Sequence, residues 1–366
     1  MTVVCAGGGT TGHISPMLAT AEALLEADPT RRLVCVGTPV GLETRLVGEA
    51  GLELRLIDAV PLSRTLSLSL ATLPFRLAKA VGQARAILRD VGARVVVGFG
   101  GYASLPVYLA ARGLGLPVVV HEANAVPGLA NRIAARFAAV VCVTFPNTAL
   151  PRQVVTGMPV RGAVAGLDRT AARPAARAGF GVDPAARVLL VSGGSQGARS
   201  LNEATMGALP ALDEAGLTVI HVTGAKNYSE PTDAPAMSRG AYIRLPYVDR
   251  MADAYAAADL MVARSGAGTV TEVALVGLPA IFVPLPHGNG EQAKNAAGVV
   301  AAGAARLIAD SDLTAERLAD EVTGLFADPG KLAAMGEAAR GVMRPDAAQV
   351  VAAYAGALAD APRGRR

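Results

Sequence analysis

Two glycine-rich segments stand where the phosphates of a nucleotide could bind. The first, Gly7-x-Gly9-x-x-Gly12, follows the apolar run Thr2–Ala6, and the second, Gly193-Gly-Ser-Gln-Gly197, follows Val188–Ser192. Glycines let the backbone turn tightly and approach a phosphate, and the helix predicted after each segment offers unpaired N–H groups. The two segments therefore predict an enzyme that binds a nucleotide diphosphate. Glycines that serve only tight packing between strand and helix remain an alternative.

The first segment matches the dinucleotide-binding fingerprint, but the acid that usually completes such a site is missing. In those domains a carboxylate near the end of the second strand binds the ribose hydroxyls. Here the second apolar run ends in Val36-Gly-Thr-Pro39, which contains no carboxylate. This argues against an NAD-dependent enzyme.

The second segment also has the G-x-S-x-G pattern of serine hydrolases. Ser195 is followed in the chain by Asp259 and His287, which gives the order Ser, Asp, His. No HGGG-like oxyanion segment precedes the serine, and the first half of the chain would have to be a complete extra domain. A serine hydrolase stays as an alternative from another class of chemistry, beside a serine that helps to bind a diphosphate.

The segment Asp310-Ser-Asp312 resembles the D-x-D metal site of other sugar-transferring enzymes. Thr314 and Arg317 follow in a helical stretch, so the two acids suit the first turn of that helix. Two helix N-termini can stabilise a leaving diphosphate without a metal. We therefore expect no metal site and no required cofactor.

Short apolar runs alternate with alanine-rich helical stretches along the chain. The strands and helices that they predict must position the two glycine-rich segments. Such runs are typical of parallel strands that are buried on both faces of a doubly wound sheet. The strand, glycine turn and helix recur about 185 residues apart, which indicates two copies of one domain plan. The predicted strands are Thr2–Ala6, Leu33–Gly37, Arg94–Gly98, Pro117–His121, Val140–Thr144, Val188–Ser192, Leu217–Thr223, Leu260–Ala263, Ala280–Pro284 and Ala305–Ile308.

The predicted fold class is therefore α/β, with two Rossmann-like doubly wound domains. A chain of 366 residues exceeds what one hydrophobic core usually supports. Gly, Pro and Arg accumulate between residues 157 and 174, so we expect an N-terminal domain at 1–162 and a C-terminal domain at 163–344. The sequence leaves open whether a last helix, at about 345–360, packs back on the N-terminal domain.

Composition excludes a disordered chain, because 52% of the residues are hydrophobic and 17% are charged. Three cysteines, Cys5, Cys35 and Cys142, lie far apart in apolar runs, which favours a reducing compartment over disulfides or a metal cluster. No secretory signal is visible near Met1, and glycines and a proline interrupt the longest uncharged stretch. We expect a cytoplasmic protein that does not span a membrane.

The positive charge is concentrated in the first half of the chain. Residues 1–163 hold 15 Lys and Arg against 9 Asp and Glu, whereas the rest hold 19 against 21. The segment 62–89 is rich in arginine and leucine and contains no acid, so it is predicted to adsorb to an anionic membrane surface. An ordinary amphipathic helix over the sheet is the alternative. Nucleic acid is not expected, since aromatic residues make up 4% and form no stacking motif.

Six motifs in one order resemble the MurG family, the peptidoglycan N-acetylglucosaminyltransferases of glycosyltransferase family 28. The resemblance covers nearly the whole chain, roughly from Val3 to Tyr354. It implies a GT-B fold, in which the two domains face each other across a cleft. The motifs are Ala6–His13, Gly100–Ser104, His121–Asn124, Gly157–Arg161, Gly193–Arg199 and Arg264–Glu272.

The resemblance also implies the reaction and its location. The donor would be UDP-N-acetylglucosamine, held mostly by the C-terminal domain. The acceptor would be lipid I, the muramyl pentapeptide on undecaprenyl diphosphate, whose C4 hydroxyl would displace UDP with inversion to give lipid II. The enzyme would be peripheral, on the cytoplasmic face of the cell membrane, with segment 62–89 against the anionic inner-membrane surface. A diacylglycerol glycosyltransferase of the same fold is the nearest alternative.

Site residues follow from the matching motifs. His13 is the candidate catalytic base, with a structural role at the helix start as the alternative. Glu272 would bind both ribose hydroxyls, and the backbone of Val248 would meet uracil. The other residues implied to bind substrate are Thr10, Thr11, Gly12, Asn124, Arg161, Ser195, Gln196, Ala267, Gly268, Thr269 and Gln292. The chain departs from the family pattern at Thr11, Ala123, Met158 and Glu291, which bears on how the sugar's 3- and 4-hydroxyls are read.

Overall fold

The computed structural model, which describes residues 1–60, 69–194, 196–228, 237–287 and 289–362, divides the chain into two units. The first unit contains Met1–Arg161 together with Pro345–Arg366, and the second contains Gly162–Arg344. The last helix of the chain therefore belongs to the first unit.

A seven-stranded sheet forms the centre of the first unit. Every neighbouring pair in it is parallel. The strands are β1 (Thr2–Ala6), β2 (Arg32–Gly37), β3 (Glu53–Leu56), β4 (Ala93–Gly98), β5 (Val118–Glu122), β6 (Val140–Val143) and β7 (Gln153–Val155), in the order β3-β2-β1-β4-β5-β6-β7. The order reverses between β1 and β4, and at such a point a doubly wound sheet opens a crevice at the carboxyl ends of its strands.

A six-stranded parallel sheet in the second unit repeats this plan. The strands are β8 (Arg187–Ser192), β9 (Leu217–Val222), β10 (Ala241–Leu245), β11 (Leu260–Ala263), β12 (Ala280–Phe282) and β13 (Ala305–Leu307), in the order β10-β9-β8-β11-β12-β13. Here the order reverses between β8 and β11, so the two glycine-rich segments follow equivalent strands.

Helices lie between the strands of both units and also follow the last strand, β13. They are α1 (Thr11–Ala27), α2 (Glu43–Glu49), α3 (Ser69–Asp90), α4 (Ser104–Gly113), α5 (Leu129–Ala134), α6 (Gly162–Ala165), α7 (Arg169–Gly179), α8 (Arg199–Glu214), α9 (Met251–Ala257), α10 (Ala267–Leu275), α11 (Glu291–Ala301), α12 (Ala315–Phe326), α13 (Pro329–Arg340) and α14 (Ala347–Asp360). Among the described residues, no helix combines the length and the apolar composition needed to cross a bilayer.

The sheet of the first unit is covered on both faces. Successive residues of a strand point to opposite faces, so β1 contributes Val3 to one core and Val4 to the other. Helices α1 and α14 cover the first of these faces, and α3, α4 and α5 cover the second. Arg94 fixes the end of α14, since its Nη2 donates to the carbonyl of Ala361 at 2.6 Å. The cysteines in this unit are buried and free.

Each of the ten strands predicted from apolar runs is present, with ends that agree within two residues. Three strands were not predicted: β3, β7 and β10. All three lie at an edge of their sheet, and their side chains are partly exposed, so they lack the continuous apolar run of a central strand.

Candidate functional site

Two loops of the first unit meet at the point where the strand order reverses. β1 leads through Gly7–Thr10 into α1, and β4 leads through residues 99–103 into α4. The loops are packed so closely that a Cβ atom on Gly101 would lie 2.3 Å from the carbonyl oxygen of Gly8. Gly101 also has a φ of +82°, a region that L side chains rarely adopt. A glycine at 101 is therefore required for this contact.

His13, the predicted base, lies in the first turn of α1, against the second of these loops. A Cβ atom on Gly100 would lie 3.1 Å from Cδ2 of its ring, and the hydroxyl of Thr10 lies 3.3 Å from Nδ1. Burial lowers the pKa of His13, while the carbonyl of Gly8 and the carboxylate of Glu43 act in the opposite direction. The imidazole is thus largely neutral at pH 7 and can accept a proton.

The predicted binding residues of this loop surround His13 in sequence. Thr10 is the N-cap residue of α1 by backbone conformation, although its side chain makes no capping bond, and it is exposed. Thr11 and Gly12 are the first two residues of the helix and are at least partly exposed. All three can be reached by a ligand above the carboxyl end of β1.

A buried acid that the motif analysis did not select holds the same loop. Glu43, the first residue of α2, accepts hydrogen bonds from the amide of Gly9 at 2.9 Å and from the amide and hydroxyl of Thr38 at 2.8 Å each. The dinucleotide-binding fingerprint predicts an acid at the end of β2, whereas Glu43 stands five residues after Thr38. The sequence signal for this acid is its spacing from two glycines, Gly37 and Gly41, which leave room for its side chain.

The loop after β5 carries Asn124 and is organised by Glu122. The buried carboxylate of Glu122 accepts from the amides of Asn124 and Gly128 and from Nδ2 of Asn131, each at 2.9 Å. The hydroxyl of Tyr108 in turn donates to Oδ1 of Asn131 at 2.8 Å. This network fixes the backbone at Asn124, which is itself partly exposed.

Two motifs of the first unit are joined by His121. Its ring is fully buried, and its Nε2 lies 3.0 Å from the carbonyl oxygen of Gly157, so Nε2 carries the proton that is donated. Burial lowers the pKa of His121 to about 4, which keeps the ring neutral. His121 thereby anchors the segment Gly157–Arg161, at whose end Arg161 is exposed.

In the second unit, the glycine-rich segment after β8 is a tight turn. The amide of Gly194 donates to the Ser192 hydroxyl at 3.2 Å, and a Cβ atom on Gly197 would lie 2.1 Å from the carbonyl oxygen of Thr223. Close packing thus requires a glycine at 197, in agreement with the packing alternative. Ser195 lies outside the described residues. Gln196 is exposed.

The other predicted donor-binding residues of this unit lie at or near the carboxyl edge of the sheet. Ala267, Gly268 and Thr269 form the first turn of α10, and three residues separate them from the end of β11. Val248 is buried in the segment between β10 and α9. Oε1 of Gln292, at the start of α11, accepts from the amide of Leu285 at 2.9 Å, so this side chain also fixes the loop after β12.

Glu272 lies one turn further along α10 and is partly buried. Its Oε2 accepts a hydrogen bond of 2.7 Å from the hydroxyl of Tyr255. Burial raises the pKa of Glu272, and the bond from Tyr255 opposes this effect. Glu272 is therefore a partly buried acid held by a hydrogen bond and not an exposed acid on the surface of the helix.

The acids of the D-x-D segment have a different role from the one expected. They lie in a short 3-10 turn, and the N-cap of α12 is Thr314, whose hydroxyl accepts from the amide of Arg317 at 3.1 Å. Asp310 instead forms an ion pair with the buried Arg264 and accepts from the Ser200 hydroxyl at 2.8 Å. Asp310 was thus wrongly assigned to the helix start.

Arg264 is the centre of that network. It follows β11, and its guanidinium also donates to the carbonyls of Val283 and Pro284 after β12 and to the hydroxyl of Ser200 in α8. Together with Asp310, which follows β13, these contacts join four of the connections at the carboxyl edge of the sheet. No group of three or more His, Cys, Asp or Glu that could hold a metal ion exists among the described residues.

The serine hydrolase alternative fails on the position of Asp259. Its carboxylate accepts from Arg173 at 2.7 Å, from Arg177 at 3.0 Å and from the amide of Val188 at 2.8 Å. These contacts lie where β8 and β11 begin, whereas the segment that contains Ser195 follows the end of β8. Since parallel strands share their direction, Asp259 lies at the opposite edge of the sheet from that segment.

The chain matches one family of known proteins along most of its length. Models for the N-terminal and C-terminal domains of glycosyltransferase family 28 match residues 3–143 and 188–351. A relative from Mycolicibacterium paratuberculosis is 54% identical over 362 residues, covering 96% of this chain and 87% of that protein. One from a Nocardioides species is 51% identical over 347 residues, covering 95% of each. Both are named UDP-N-acetylglucosamine–N-acetylmuramyl-(pentapeptide) pyrophosphoryl-undecaprenol N-acetylglucosamine transferases.

A solved structure agrees with these matches. Acinetobacter baumannii MurG superimposes with a TM-score of 0.75 at 32% identity, covering 96% of this chain and 98% of that one. Together with the two parallel sheets of equivalent strand order, this match confirms the predicted GT-B class of two Rossmann-like domains.

Proposed function

The chain belongs to glycosyltransferase family 28, and from this premise we propose that it transfers N-acetylglucosamine from UDP-N-acetylglucosamine to lipid I, forming lipid II. The observation that carries the proposal is the identity of 51–54% to enzymes named for this reaction, over 95% or more of the chain. The enzyme is a hexosyltransferase, and the acceptor is the muramyl sugar on undecaprenyl diphosphate.

The donor is assigned to the second unit. The segment with Ser195 and Gln196 follows β8, and the first turn of α10, Ala267–Thr269, follows β11. These strands are neighbours at the reversal of strand order, where N–H groups of helix starts favour a diphosphate. In this proposal Glu272, one turn along α10, would bind the ribose hydroxyls, the backbone of Val248 would meet uracil, and Gln292 would bind the sugar.

The acceptor is assigned to the loops around His13 in the first unit, with Thr10, Thr11, Gly12 and Asn124 as contacts. The C4 oxygen of the muramyl sugar attacks the anomeric carbon of the donor and forms the new glycosidic bond. The bond from that carbon to the phosphate oxygen breaks in the same step, so UDP leaves and the configuration inverts. His13 takes the hydroxyl proton, which its neutral ring allows.

Neither a metal nor a cofactor is part of the proposed mechanism. The charge on the departing UDP would be met by the N–H groups of the helix starts and by Arg161, whose guanidinium fork suits a diphosphate. Arg161 is exposed at the end of its motif, as such a role needs.

We further propose that the protein binds the cytoplasmic face of the cell membrane through segment 62–89. Residues 61–68, which include Leu62, Arg64, Leu66 and Leu68 of the prediction, lie outside the described residues. Within α3, Phe75 is 80% exposed, and Arg76, Arg85 and Arg89 are exposed as well. Lys79 is exposed but forms an ion pair of 2.8 Å with Asp58, so part of the positive charge is neutralised locally.

An assay of UDP release with three acceptors tests the reaction. We expect release from UDP-N-acetylglucosamine with a lipid I analogue, and little with diacylglycerol or with water alone. Release only with diacylglycerol would replace lipid I by diacylglycerol as the acceptor, with a glycolipid as the product. Equal release with water alone would indicate a hydrolase or an epimerase and would contradict transfer.

A further inference from the structure

We propose that Glu43 is a positioning residue for the transfer reaction: its buried carboxylate clamps the first glycine-rich segment, excludes a phosphate from the Gly9 amide and holds a negative charge near His13. This inference rests on the proposed function, because it assigns His13 as the base. Glu43 itself lies outside the six motifs that resemble the family.

The clamp joins two connections of the first sheet. Glu43 is fully buried, and its Oε2 accepts from the Gly9 amide at 2.9 Å in the loop after β1. Its Oε1 accepts from the amide and the hydroxyl of Thr38, directly after β2, at 2.8 Å each. A buried carboxylate that is bonded by three donors is held far more firmly than an exposed one.

Three glycines make room for this carboxylate. A Cβ atom on Gly8 would lie 2.4 Å from Oε1, one on Gly41 would lie 1.8 Å from Oε2, and one on Gly37 would lie 2.6 Å from Cγ of Glu43. Real Cβ atoms do not approach other atoms so closely, so a side chain at any of these positions would displace Glu43. The glycine at position 8 therefore serves an internal acid rather than a bound phosphate.

The two glycine-rich segments differ in the charge of the groups bonded to them. Burial raises the pKa of Glu43, but the bonds from Gly9 and Thr38 outweigh this effect and leave the pKa below its usual value, so the group is ionised at pH 7. An anion at the Gly9 amide would have to displace this carboxylate and would be repelled by it. In the described part of the second segment no carboxylate is bonded, and the Gly194 amide donates to a hydroxyl. The diphosphate of the donor thus belongs to the second segment.

The same charge acts on His13. The groups around its ring on α1 and in the loop after β4 are the Thr10 hydroxyl and the backbone of Gly100, with the amide of Asn131 next to Gly100. All of these are uncharged, whereas Glu43 brings a negative charge from α2. A nearby carboxylate favours the imidazolium that forms when His13 takes the acceptor's proton. Glu43 would therefore stabilise the charge that develops during transfer.

The variant Glu43→Gln tests the proposal, with Glu49→Gln as the matched control on the exposed side of α2. NMR titration of His13 needs no substrate, and we expect its pKa to move lower in Glu43→Gln and to stay unchanged in Glu49→Gln. The acidic limb of kcat/KM for the lipid I analogue should move to lower pH in the same variant. We also expect kcat to fall about tenfold or more as the loop loosens, with the affinity for UDP unchanged.

Two results would overturn the inference. One is a folded Glu43→Gln protein in which the His13 titration does not move. The other is markedly weaker binding of UDP by this variant, which would show that the donor's diphosphate depends on the first segment that Glu43 holds. If the wild-type protein fails to use lipid I, the proposed reaction fails, and the NMR titration still decides the relation between Glu43 and His13.

A second pair of variants covers the case in which Glu43→Gln does not fold. Thr38→Val removes one of the three donors to Glu43 while keeping nearly the same shape, and Thr38→Ser restores a hydroxyl. We expect Thr38→Val to lower kcat severalfold at unchanged affinity for UDP, and Thr38→Ser to recover most of it. Wild-type kcat in Thr38→Val would contradict the clamp.

Discussion

The hydroxyl of Tyr255 donates a hydrogen bond of 2.7 Å to Oε2 of Glu272. Tyr255 is buried in α9, and burial, followed by the charge of Glu272, raises its pKa well above the usual value. The phenol therefore stays protonated and acts as a donor only. It fixes the carboxylate that the proposed mechanism assigns to the ribose, without itself reaching solvent.

Replacing Tyr255 by Phe should weaken the donor site. The lost hydrogen bond to a charged group corresponds to about 1–2 kcal/mol, or roughly a 5- to 30-fold rise in the Kd of UDP. Because the carboxylate loses its orientation, the preference for UDP over 2′-deoxy-UDP should also shrink. Calorimetric titration with both nucleotides measures this.

The control for that experiment is Tyr242→Phe, which removes a hydroxyl bonded to His221 at 2.9 Å in the same unit. It should leave both affinities nearly unchanged. An unaltered preference for the 2′-hydroxyl in Tyr255→Phe would contradict an orienting role.

The affinity for UDP should depend on pH through Glu272. Burial raises the pKa of this group, and ribose binding needs the ionised carboxylate, so affinity should be lost as pH falls, at a higher pH than for an ordinary glutamate. The Tyr255 bond lowers the pKa, so the loss should begin at still higher pH in Tyr255→Phe. Measurements of UDP binding from neutral to acidic pH test this, with unfolding followed in parallel. A flat profile in a folded protein would argue against Glu272.

Most of the fold could be predicted from the sequence, because central strands are buried on both faces and appear as continuous apolar runs. Glu43 and Tyr255 show why the site could be predicted only in part. Each acts through a partner distant in sequence, Gly9 and Glu272 respectively, and neither belongs to a motif. Asp259 shows the converse, since the order Ser, Asp, His suggested a triad. The order of three residues along the chain does not show at which end of the sheet each one lies. Asp259 precedes β11, so it lies at the end of the sheet opposite the segment that contains Ser195.

Asp310→Asn should destabilise the second unit and weaken the donor site together. The change leaves the buried guanidinium of Arg264 without its counterion, which typically costs about 3 kcal/mol. The connections after β11, β12 and β13 would then lose their common contact. Chemical denaturation and UDP titration measure the two effects. Glu203→Gln, which removes an exposed partner of Arg199, should cost less than about 1 kcal/mol.

Asp259→Asn should affect stability alone. Its carboxylate pairs with Arg173 and with the buried Arg177, so the loss should again be about 3 kcal/mol. The residue lies at the edge of the sheet opposite the proposed donor site, so UDP affinity and sugar transfer below the unfolding temperature should stay within about twofold of wild type. A folded Asp259→Asn protein without transfer activity would instead indicate that Asp259 takes part in the reaction.

We expect the exposed face of α3 to contact the membrane. Phe75 is 80% exposed, and an apolar ring beside basic side chains adsorbs to anionic lipid through burial and charge together. Phe75→Ser combined with Arg76→Glu should therefore reduce sedimentation with anionic vesicles about tenfold or more, and should spare UDP binding. Reversing the charge of Lys79 should reduce sedimentation with vesicles less than reversing the charge of Arg76, because Lys79 already pairs with Asp58. Lys331→Glu, an equal charge change at the start of α13, is the control. Unchanged sedimentation of the double variant would leave α3 as a helix that only covers its sheet.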